Sequence, residues 1–359
     1  MILNRFTMVE RIGDVADHRK DTAMTALPSL VVADAATRVV ALRSQHGHGL
    51  LGVPRAGLRL GWRAESDDPG ARVVGYQIAA GPEGAEPTPS EPVADPRTVS
   101  VEIPGSLAPR ERRAFVVRVA TTTGWTDWSE PLVVEAGVDG PELAASVIGA
   151  ETPADGPVPL LRTEFALDRT PASARLRLSG LGLVDAWING ERASDALLTP
   201  GWTSYQERIL VDTLDVTALL REGPNVIVLA VADGWYRGSF GFARRQAIYG
   251  GRTGALAQLE ADGEVVAKTD ASWQAGFGPL LSASIYDGTV TDLRRDDPAV
   301  HEPGFAAEGW VAASVVAVDP ARFEPRSAPP VRVVAELPMR ASAHDGRMRL
   351  DGGQNVSGW

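Results

Sequence analysis

The feature that most constrains the fold is a succession of short apolar runs that alternate with polar residues and stop at turn residues. Residues 57–63 and 114–119 alternate with a period of two, which is the side-chain period of a β-strand. Residues 225–231 form a continuous apolar run, which indicates a strand buried on both faces. No stretch shows sustained helical periodicity. The sequence therefore predicts an all-β fold.

Turn signals divide the first part of the chain at the spacing expected of a β-sandwich. Breakers at residues 67–70 and 82–84 separate the strand-like runs from one another. We predict a fibronectin-III-like β-sandwich over residues 26–136, with Trp62 in its core. The residues before it, 1–25, are irregular in pattern, and we predict a flexible N-terminal extension there.

The second part of the chain predicts a larger sandwich. Residues 137–158 are rich in Gly and Pro, which indicates a linker. Asn189-Gly190 and Asp262-Gly263 each stand between strand-like flanks, and such pairs are the strongest short hairpin signal because both residues tolerate positive φ. We predict a jelly-roll β-sandwich over residues 159–320. Residues 321–359 are too few to bury a core alone, and we interpret them as the truncated start of a third β-domain.

Composition excludes several classes of function. The formal net charge is −11, and an acidic surface repels both phosphate backbones and anionic lipid heads, so neither nucleic acid nor membrane is expected as a partner. The chain has no cysteine, which excludes disulfides, thiolate zinc sites and iron–sulfur clusters. No apolar stretch approaches the ~18 residues of a membrane span. The sequence does not fix the cellular location, but no secretory signal is visible near the N-terminus, which favours the cytoplasm.

Several motifs of the second unit occur together and in a fixed order. They are Trp187-Ile188-Asn189-Gly190-Glu191, residues 198–205 (LTPGWTSY), residues 215–225 (DVTALLREGPN), residues 233–238 (DGWYRG), Ile285-Tyr286-Asp287-Gly288 and residues 351–359 (DGGQNVSGW). Any one of them is weak, but six in order over residues 160–359 are specific. The chain resembles the N-terminal, non-catalytic portion of bacterial α-L-rhamnosidases of glycoside hydrolase family 78.

The resemblance implies an enzyme whose chemistry lies outside this chain. It implies that the full-length protein hydrolyses terminal α-L-rhamnose from glycosides with inversion, using carboxyl groups on a downstream α/α barrel. Catalytic residues are therefore expected to be absent from this chain, which we predict to be inactive alone. The expected partners are rhamnosides and the missing C-terminal catalytic module of the same polypeptide.

The resemblance also bears on metals. Members that bind rhamnose through calcium are expected to carry an acidic residue beside the hairpin asparagine, and Ile188 holds that place here. Calcium is therefore disfavoured, and we expect no cofactor. The five histidines show no metal-ligand spacing, since His46 and His48 are the only close pair. No metal site is predicted.

A carbohydrate site in the second unit is the main binding hypothesis. Sugars offer apolar C–H faces and fixed hydroxyl pairs, so they favour exposed aromatic side chains beside polar ones. The candidate residues cluster mostly within 48 positions of the chain. They are Asn189, Trp202, Tyr205, Asp233, Trp235, Tyr236, Arg237 and Tyr249.

Two other interpretations stay open. The same aromatic side chains could fill one end of the sandwich or pack on the missing modules. In another hypothesis the chain is a non-catalytic rhamnose-binding or structural module. Binding of L-rhamnose separates a sugar-binding module from a purely structural one.

Overall fold

The structure, a computed structural model, describes residues 27–30, 33–45 and 51–355. Within these residues the regular secondary structure is almost entirely β-strand and is arranged mainly as two sandwiches, which confirms the predicted all-β class. No helix in the described part of the chain is long and apolar enough to cross a membrane. The predicted N-terminal extension, 1–25, lies outside the described residues, as do His46 and His48.

The first sandwich pairs a three-stranded sheet with a five-stranded one. Its strands are β1 (Thr37–Ser44), β2 (Leu51–Val53), β3 (Arg59–Ser66), β4 (Val73–Pro82), β5 (Thr88–Pro89), β6 (Val101–Glu102), β7 (Arg112–Thr121) and β8 (Leu132–Ala136). The sheet orders are β1-β3-β6 and β2-β8-β7-β4-β5. Trp62 is buried between the sheets, as predicted, and meets the ring of Tyr76 edge-on at 5.2 Å between centroids.

The second sandwich is larger and is built from two sheets of six and seven strands. Its strands are β9 (Ile148–Gly149), β10 (Pro159–Leu167), β11 (Ala174–Leu181), β12 (Leu183–Ile188), β13 (Glu191–Arg192), β14 (Ile209–Asp215), β15 (Gly223–Ala232), β16 (Gly254–Ala261), β17 (Glu264–Lys268), β18 (Gln274–Phe277), β19 (Leu280–Ser284), β20 (Gly288–Thr291), β21 (Val311–Ala312), β22 (Ser314–Val315) and β23 (Phe323–Pro325). One sheet runs β13-β12-β15-β10-β18-β21. The other runs β22-β9-β16-β11-β14-β23, with β17 paired to β16, while β19 and β20 form a separate hairpin.

Short helical segments connect these strands. Four-residue α1 spans Gly234–Arg237, and the 3₁₀ turns are Gly140–Glu142, Thr217–Leu219, Leu293–Arg295, Pro298–His301 and Pro320–Arg322. After the second sandwich, β24 (Arg340–His344) and β25 (Arg347–Asp351) form an antiparallel hairpin. The interpretation of 321–359 as the start of a further domain stays a prediction.

Both predicted hairpins form around positive φ angles. Asn189 and Gly190 have φ of 50° and 86° and join β12 to β13. Asp262 and Gly263 have φ of 49° and 90° and join β16 to β17. Two successive residues with positive φ give a turn whose twist matches that of the flanking strands.

Strand β15 is buried on both faces, as its continuous apolar run predicts. Ile227, Leu229 and Val231 point into the core between the two sheets. The opposite face of β15 is covered by the chain around the 3₁₀ turn Pro298–His301. A strand with two covered faces needs apolar side chains at every position, which explains why no alternation is visible there.

The stretch 137–158, which the sequence pattern identifies as a linker, is largely packed in the structure. Val147 and Ile148 are buried, and β9 within this stretch pairs with both β16 and β22. Its Gly and Pro residues mark turns, but the apolar residues between them join the core of the second sandwich. Similarly, β23 lies beyond the predicted end of that sandwich yet pairs in parallel with β14.

A buried ionic cluster joins the two sandwiches. Glu135 at the end of β8 accepts hydrogen bonds from Arg175 (2.9 Å) and Arg177 (3.3 Å) of β11. Glu260 of β16 accepts from Arg177 (3.1 Å) and from Arg110 (Nε, 3.0 Å) of the first sandwich. Arg177 is 1% exposed, and both carboxylates are buried. Glu135, in the first sandwich, therefore bonds two arginines of the second sandwich. Glu260, in the second sandwich, bonds one arginine from each sandwich.

Burial raises the pKa of Glu260, but the hydrogen bond from Arg110 and the charge of Arg177 outweigh this and lower the pKa below its usual value of 4.5. A group whose folded pKa is depressed stabilises the fold above its unfolded pKa and loses that contribution as the pH falls through the folded pKa. The depressed pKa of Glu260 therefore contributes stability at neutral pH, where this carboxyl group is ionised.

We predict that Glu260→Gln lowers the free energy of unfolding by about 3–5 kcal/mol at pH 7, because it leaves the buried Arg177 charge without one of its carboxylates. Thermal or urea unfolding of the whole chain measures this. Glu102→Gln is the matched control, because Glu102 pairs with Arg59 at an exposed site and such pairs contribute about 0–1 kcal/mol.

The difference between wild type and Glu260→Gln should hold at neutral pH and narrow below about pH 4.5 as the wild-type carboxylate takes up a proton. Equal losses for the two variants, or a difference that does not depend on pH, would contradict this role for the cluster.

Candidate functional site

Five of the predicted aromatic residues meet at one end of the second sandwich. Trp202 and Tyr205 lie before β14, Trp235 and Tyr236 lie in α1, and Tyr249 precedes β16. Their rings form two sets, the two tryptophans and the three tyrosines, with centroid distances between 5.0 and 6.2 Å within each set. We call this group, together with Phe240, the aromatic end.

The exposed part of the aromatic end is the ring of Trp202, which stacks on the partly buried ring of Trp235. The ring of Trp202 lies nearly parallel to that of Trp235, with 13° between their planes and 6.2 Å between centroids. Phe240 packs edge-on against Trp202 at 5.0 Å, and Trp202 Nε1 donates to the Tyr249 hydroxyl at 3.1 Å. Trp202 is nevertheless 52% exposed. It presents a held aromatic surface to solvent.

Tyr205 has a different place, since it belongs to the core. It is 2% exposed and packs with Ile209, Val211 and Phe323. Its hydroxyl donates to the carbonyl of Gly201 at 2.8 Å. Burial, and then the neighbouring phenols Tyr249 and Tyr236, raise its pKa well above the usual value, so it stays protonated. Its position makes contact with a ligand impossible without unpacking the core.

Asp233 and Arg237 form a buried pair whose hydrogen-bonding groups are engaged within the chain. Asp233 Oδ1 accepts from Arg237 Nε at 2.7 Å, and Oδ2 accepts from the Asp155 amide at 2.7 Å. Arg237 also donates to the carbonyl and hydroxyl of Thr152, both at 2.8 Å. The pair fastens the chain around Thr152 and Asp155 beneath α1, which makes it a structural support for the aromatic end.

Asn189 lies apart from the other predicted residues. Its amide donates to the Leu219 carbonyl and to Asn225 Oδ1, and its Oδ1 accepts from the Val226 amide. Asn225 is near the start of β15, whereas Asp233 follows its end, so the two positions are separated by roughly 26 Å at ~3.3 Å per strand residue. The structure does not bring Asn189 to the aromatic end.

Two exposed aromatic residues near the aromatic end were not among the sequence candidates. Phe242 is fully exposed, and Tyr286, in the turn between β19 and β20, is 53% exposed. The Tyr286 hydroxyl accepts from the Gly241 amide at 3.2 Å, and the Arg244 guanidinium lies 6.0 Å from the Tyr286 ring while pairing with Asp287. Tyr286 belongs to the motif formed by residues 285–288. Because this motif is far along the chain from residues 241–244, the contact between them could not be predicted from the sequence.

Within the described parts of the chain, no group of three or more His, Asp or Glu side chains is arranged to hold a metal ion. The aromatic end therefore offers apolar ring faces, the Trp202 indole and the hydroxyl of Tyr249. Such a surface can contact a sugar ring or another protein surface.

Comparison with known proteins finds two families in the chain. Residues 39–139 match the family described as "Rha78A-like, N-terminal immunoglobulin domain", and residues 169–335 match the family described as "Alpha-L-rhamnosidase N-terminal domain". The first sandwich is thus of the immunoglobulin-like class, which shares its architecture with fibronectin III modules.

Two curated relatives and one solved structure that the chain matches are α-L-rhamnosidases. The chain is 36% identical over 244 residues to an α-L-rhamnosidase of Streptomyces avermitilis, covering 64% of this chain and 24% of the relative. It is 29% identical over 314 residues to an α-L-rhamnosidase of an Alteromonas species, covering 80% and 34%. The crystal structure of native α-L-rhamnosidase from Aspergillus terreus superposes with a TM-score of 0.79 at 31% identity, covering 89% of this chain and 39% of that one. The chain spans about a quarter to a third of the length of these curated relatives.

We predict that Tyr205→Ala lowers the free energy of unfolding by about 3–5 kcal/mol, as expected for truncating a buried aromatic residue. Trp202→Ala should cost about 1 kcal/mol, because only its contacts with Trp235, Phe240 and Tyr249 are lost. Urea unfolding compares the two, with Phe242→Ala as a fully exposed control that should change stability by less than about 0.5 kcal/mol. A larger loss for Trp202→Ala than for Tyr205→Ala would reverse the assignment of surface and core.

Proposed function

We propose, on the premise that this chain is an N-terminal portion of an α-L-rhamnosidase, that the polypeptide to which it belongs hydrolyses terminal α-L-rhamnosides. The observation that carries the proposal is the match of both sandwiches, in order, to the N-terminal families of these enzymes. The 31% identity with the Aspergillus terreus enzyme over 89% of this chain supports it further.

The reaction itself is assigned to the part of the relatives' length that this chain does not span. Inverting hydrolysis needs a general acid and a general base on opposite sides of the scissile bond, with space for a water molecule between the base and the sugar. We place that carboxyl pair in a C-terminal catalytic region. The buried acidic groups described above, Glu135, Glu260 and Asp233, are each bonded to arginines and serve the fold.

The contribution of this chain is then to hold a contact surface in a fixed position. The ionic cluster joins the two sandwiches, and the aromatic end projects Trp202 from the second. We propose that the Trp202–Trp235 stack contacts carbohydrate, because a flat ring exposed to solvent and held by its neighbours suits the C–H face of a sugar. The alternative is that the same surface packs against the catalytic region.

The residues of this chain do not fit the calcium site that the family resemblance implies for some members. Ile188, at the position expected to be acidic, is apolar and buried in the core. The Asn189 side chain makes three hydrogen bonds, one to the Leu219 carbonyl and two to Asn225 and Val226 of β15. We propose that this chain folds and functions without calcium.

The function predicts that a polypeptide extended through the catalytic region releases p-nitrophenol from p-nitrophenyl α-L-rhamnopyranoside, whereas residues 1–359 alone do not. Absorbance at neutral pH measures the release, and p-nitrophenyl β-D-glucopyranoside is the substrate control. Hydrolysis of the rhamnoside by residues 1–359 would overturn the assignment of the chemistry to another region. Failure of the extended protein on every α-L-rhamnoside would overturn the function.

Removal of calcium should leave the chain unchanged. After dialysis against a chelator, addition of millimolar Ca²⁺ is expected to shift the thermal midpoint by less than about 1 °C. If a calcium site existed, Ca²⁺ at 100 times its Kd would instead add about 2.7 kcal/mol of stability. Differential scanning calorimetry measures this, with Mg²⁺ as the ionic control. A rise of several degrees that is specific to Ca²⁺ would show that a site exists.

A further inference from the structure

An arginine on the outer face of the first sandwich is held by two tryptophans. Arg118 of β7 alternates with residues of the core, so its side chain points away from the second sheet. The centre of its guanidinium lies 5.0 Å from the ring centre of Trp125 and 4.8 Å from that of Trp128. Its Nε donates to Gln77 Oε1 of β4 at 2.8 Å. Cation–π contact and this hydrogen bond together fix the guanidinium.

Both indole rings are placed by the backbone that follows β7. Trp125 forms an antiparallel bridge with Ala120, and the Ser129 amide donates to the Val117 carbonyl at 2.8 Å. Trp125 is 3% exposed, whereas Trp128 is only partly buried. The group of two tryptophans and one arginine is therefore formed before any ligand arrives, and Trp128 offers part of its ring to solvent.

The outer edge of the Arg118 guanidinium is unused in the described part of the chain. Nη1 and Nη2 make no hydrogen bond there, and neither nitrogen is buried. A guanidinium has five N–H donors, and only the Nε–H of Arg118 is engaged. The four remaining donors lie in one plane and can be reached from solvent.

The charge of Arg118 is also uncompensated. Arg112 of the same strand pairs with both Glu83 and Glu135, although the chain holds enough acidic residues, 46 against 35 basic ones, to supply Arg118 too. Burial lowers the pKa of Arg118 with no described carboxylate to oppose it, whereas the hydrogen bond to Glu83 raises the pKa of Arg112. A guanidinium nevertheless stays protonated at neutral pH. The site therefore presents a fixed positive charge.

We propose that Arg118 and Trp128 form a binding site for a hexuronic acid residue, which is a sugar ring that carries one carboxylate. The planar edge of the guanidinium bonds both carboxylate oxygens, as arginine does with carboxylates in general. The exposed part of the Trp128 ring contacts the C–H face of the sugar. The inference rests on the proposed function for the choice of a sugar as the carrier of the carboxylate.

The surroundings of the site favour a ligand with a single negative charge. Asp127 and Glu130 are exposed on either side of Trp128 in the chain, and the formal net charge of the protein is −11. These charges repel a partner that carries many carboxylates, such as an acidic protein surface. A neutral sugar, in turn, leaves the charge of Arg118 without a counter-ion.

The experiment is a titration of the whole 359-residue chain with methyl β-D-glucuronide, followed by saturation-transfer NMR and calorimetry. Methyl β-D-glucopyranoside lacks the carboxylate, acetate lacks the ring, and the α-amide of N-acetylglutamate represents an acidic side chain of a protein. We expect the glucuronide to bind in the millimolar range and about tenfold more tightly than each of the other three probes. The indole N–H signal that is lost in Trp128→Phe should shift during the titration.

Variants of the arginine and of its neighbour test the contact. Arg118→Gln should weaken glucuronide binding about tenfold, and Arg118→Lys should weaken it less, because an ammonium keeps the charge but lacks the planar fork. Gln77→Glu places a carboxylate beside Arg118 and should also weaken binding about tenfold. Arg72→Gln is the matched control, since Arg72 is an exposed arginine of the same sandwich that bonds only backbone carbonyls.

Four results would overturn the site: no glucuronide binding, equal affinity for the glucoside or acetate, tighter binding of the glutamate amide, or binding that is unchanged in Arg118→Gln and Gln77→Glu. Thermal unfolding checks that each variant is folded. The outcome is separate from the proposed function. Rhamnoside hydrolysis by the extended protein without glucuronide binding would remove only this site, and glucuronide binding without hydrolysis would remove only the function.

Discussion

The buried charges between the two sandwiches constrain everything else in this structure. A buried carboxylate or guanidinium is costly unless it is paired and fully hydrogen-bonded. Glu135 and Glu260 must therefore remain in contact with arginines of the facing strands. Because Glu135 ends β8 and Arg177 lies in β11, this requirement fixes the orientation of one sandwich relative to the other. Arginine suits the position better than lysine, since its planar fork bonds two carboxylates at once.

The second sandwich is organised around β15, which has both faces covered. Its inner face fills the core, and its outer face needs a cover, which the chain between β18 and β21 provides. The same cover encloses a pocket lined by Trp187, Ala230 and His301, among other residues. At its C-terminal end β15 leads directly into Asp233 and α1, and so it also positions the aromatic end. Strand β15 therefore contributes to the core, to the pocket and to the placement of the aromatic end.

Much of this could be predicted from the sequence because the signals were local. The period-two runs, the Asn189-Gly190 turn and the apolar run of β15 each act over a few residues, and the structure has them as expected. The packing of 137–158 could not be predicted, since Gly and Pro mark a turn equally well in a linker and inside a domain. Of the site residues, proximity along the chain grouped the aromatic ones correctly. It could not distinguish exposed Trp202 from buried Tyr205, nor reveal Tyr286 or the pocket, whose parts come together only through sheet pairing.

The parallel pairing of β23 with β14 has a consequence for the hairpin β24–β25. Phe323 is buried, Arg326 bonds Asp212 and the Pro200 carbonyl, and Val331 pairs with Leu197, so the chain leaves the second sandwich at a defined point. Arg340 lies nine positions after Val331 in the chain, and an extended segment of that length reaches about 30 Å. The hairpin β24–β25 is therefore joined to the larger sandwich by one segment of chain, whose length limits it to within about 30 Å of Val331.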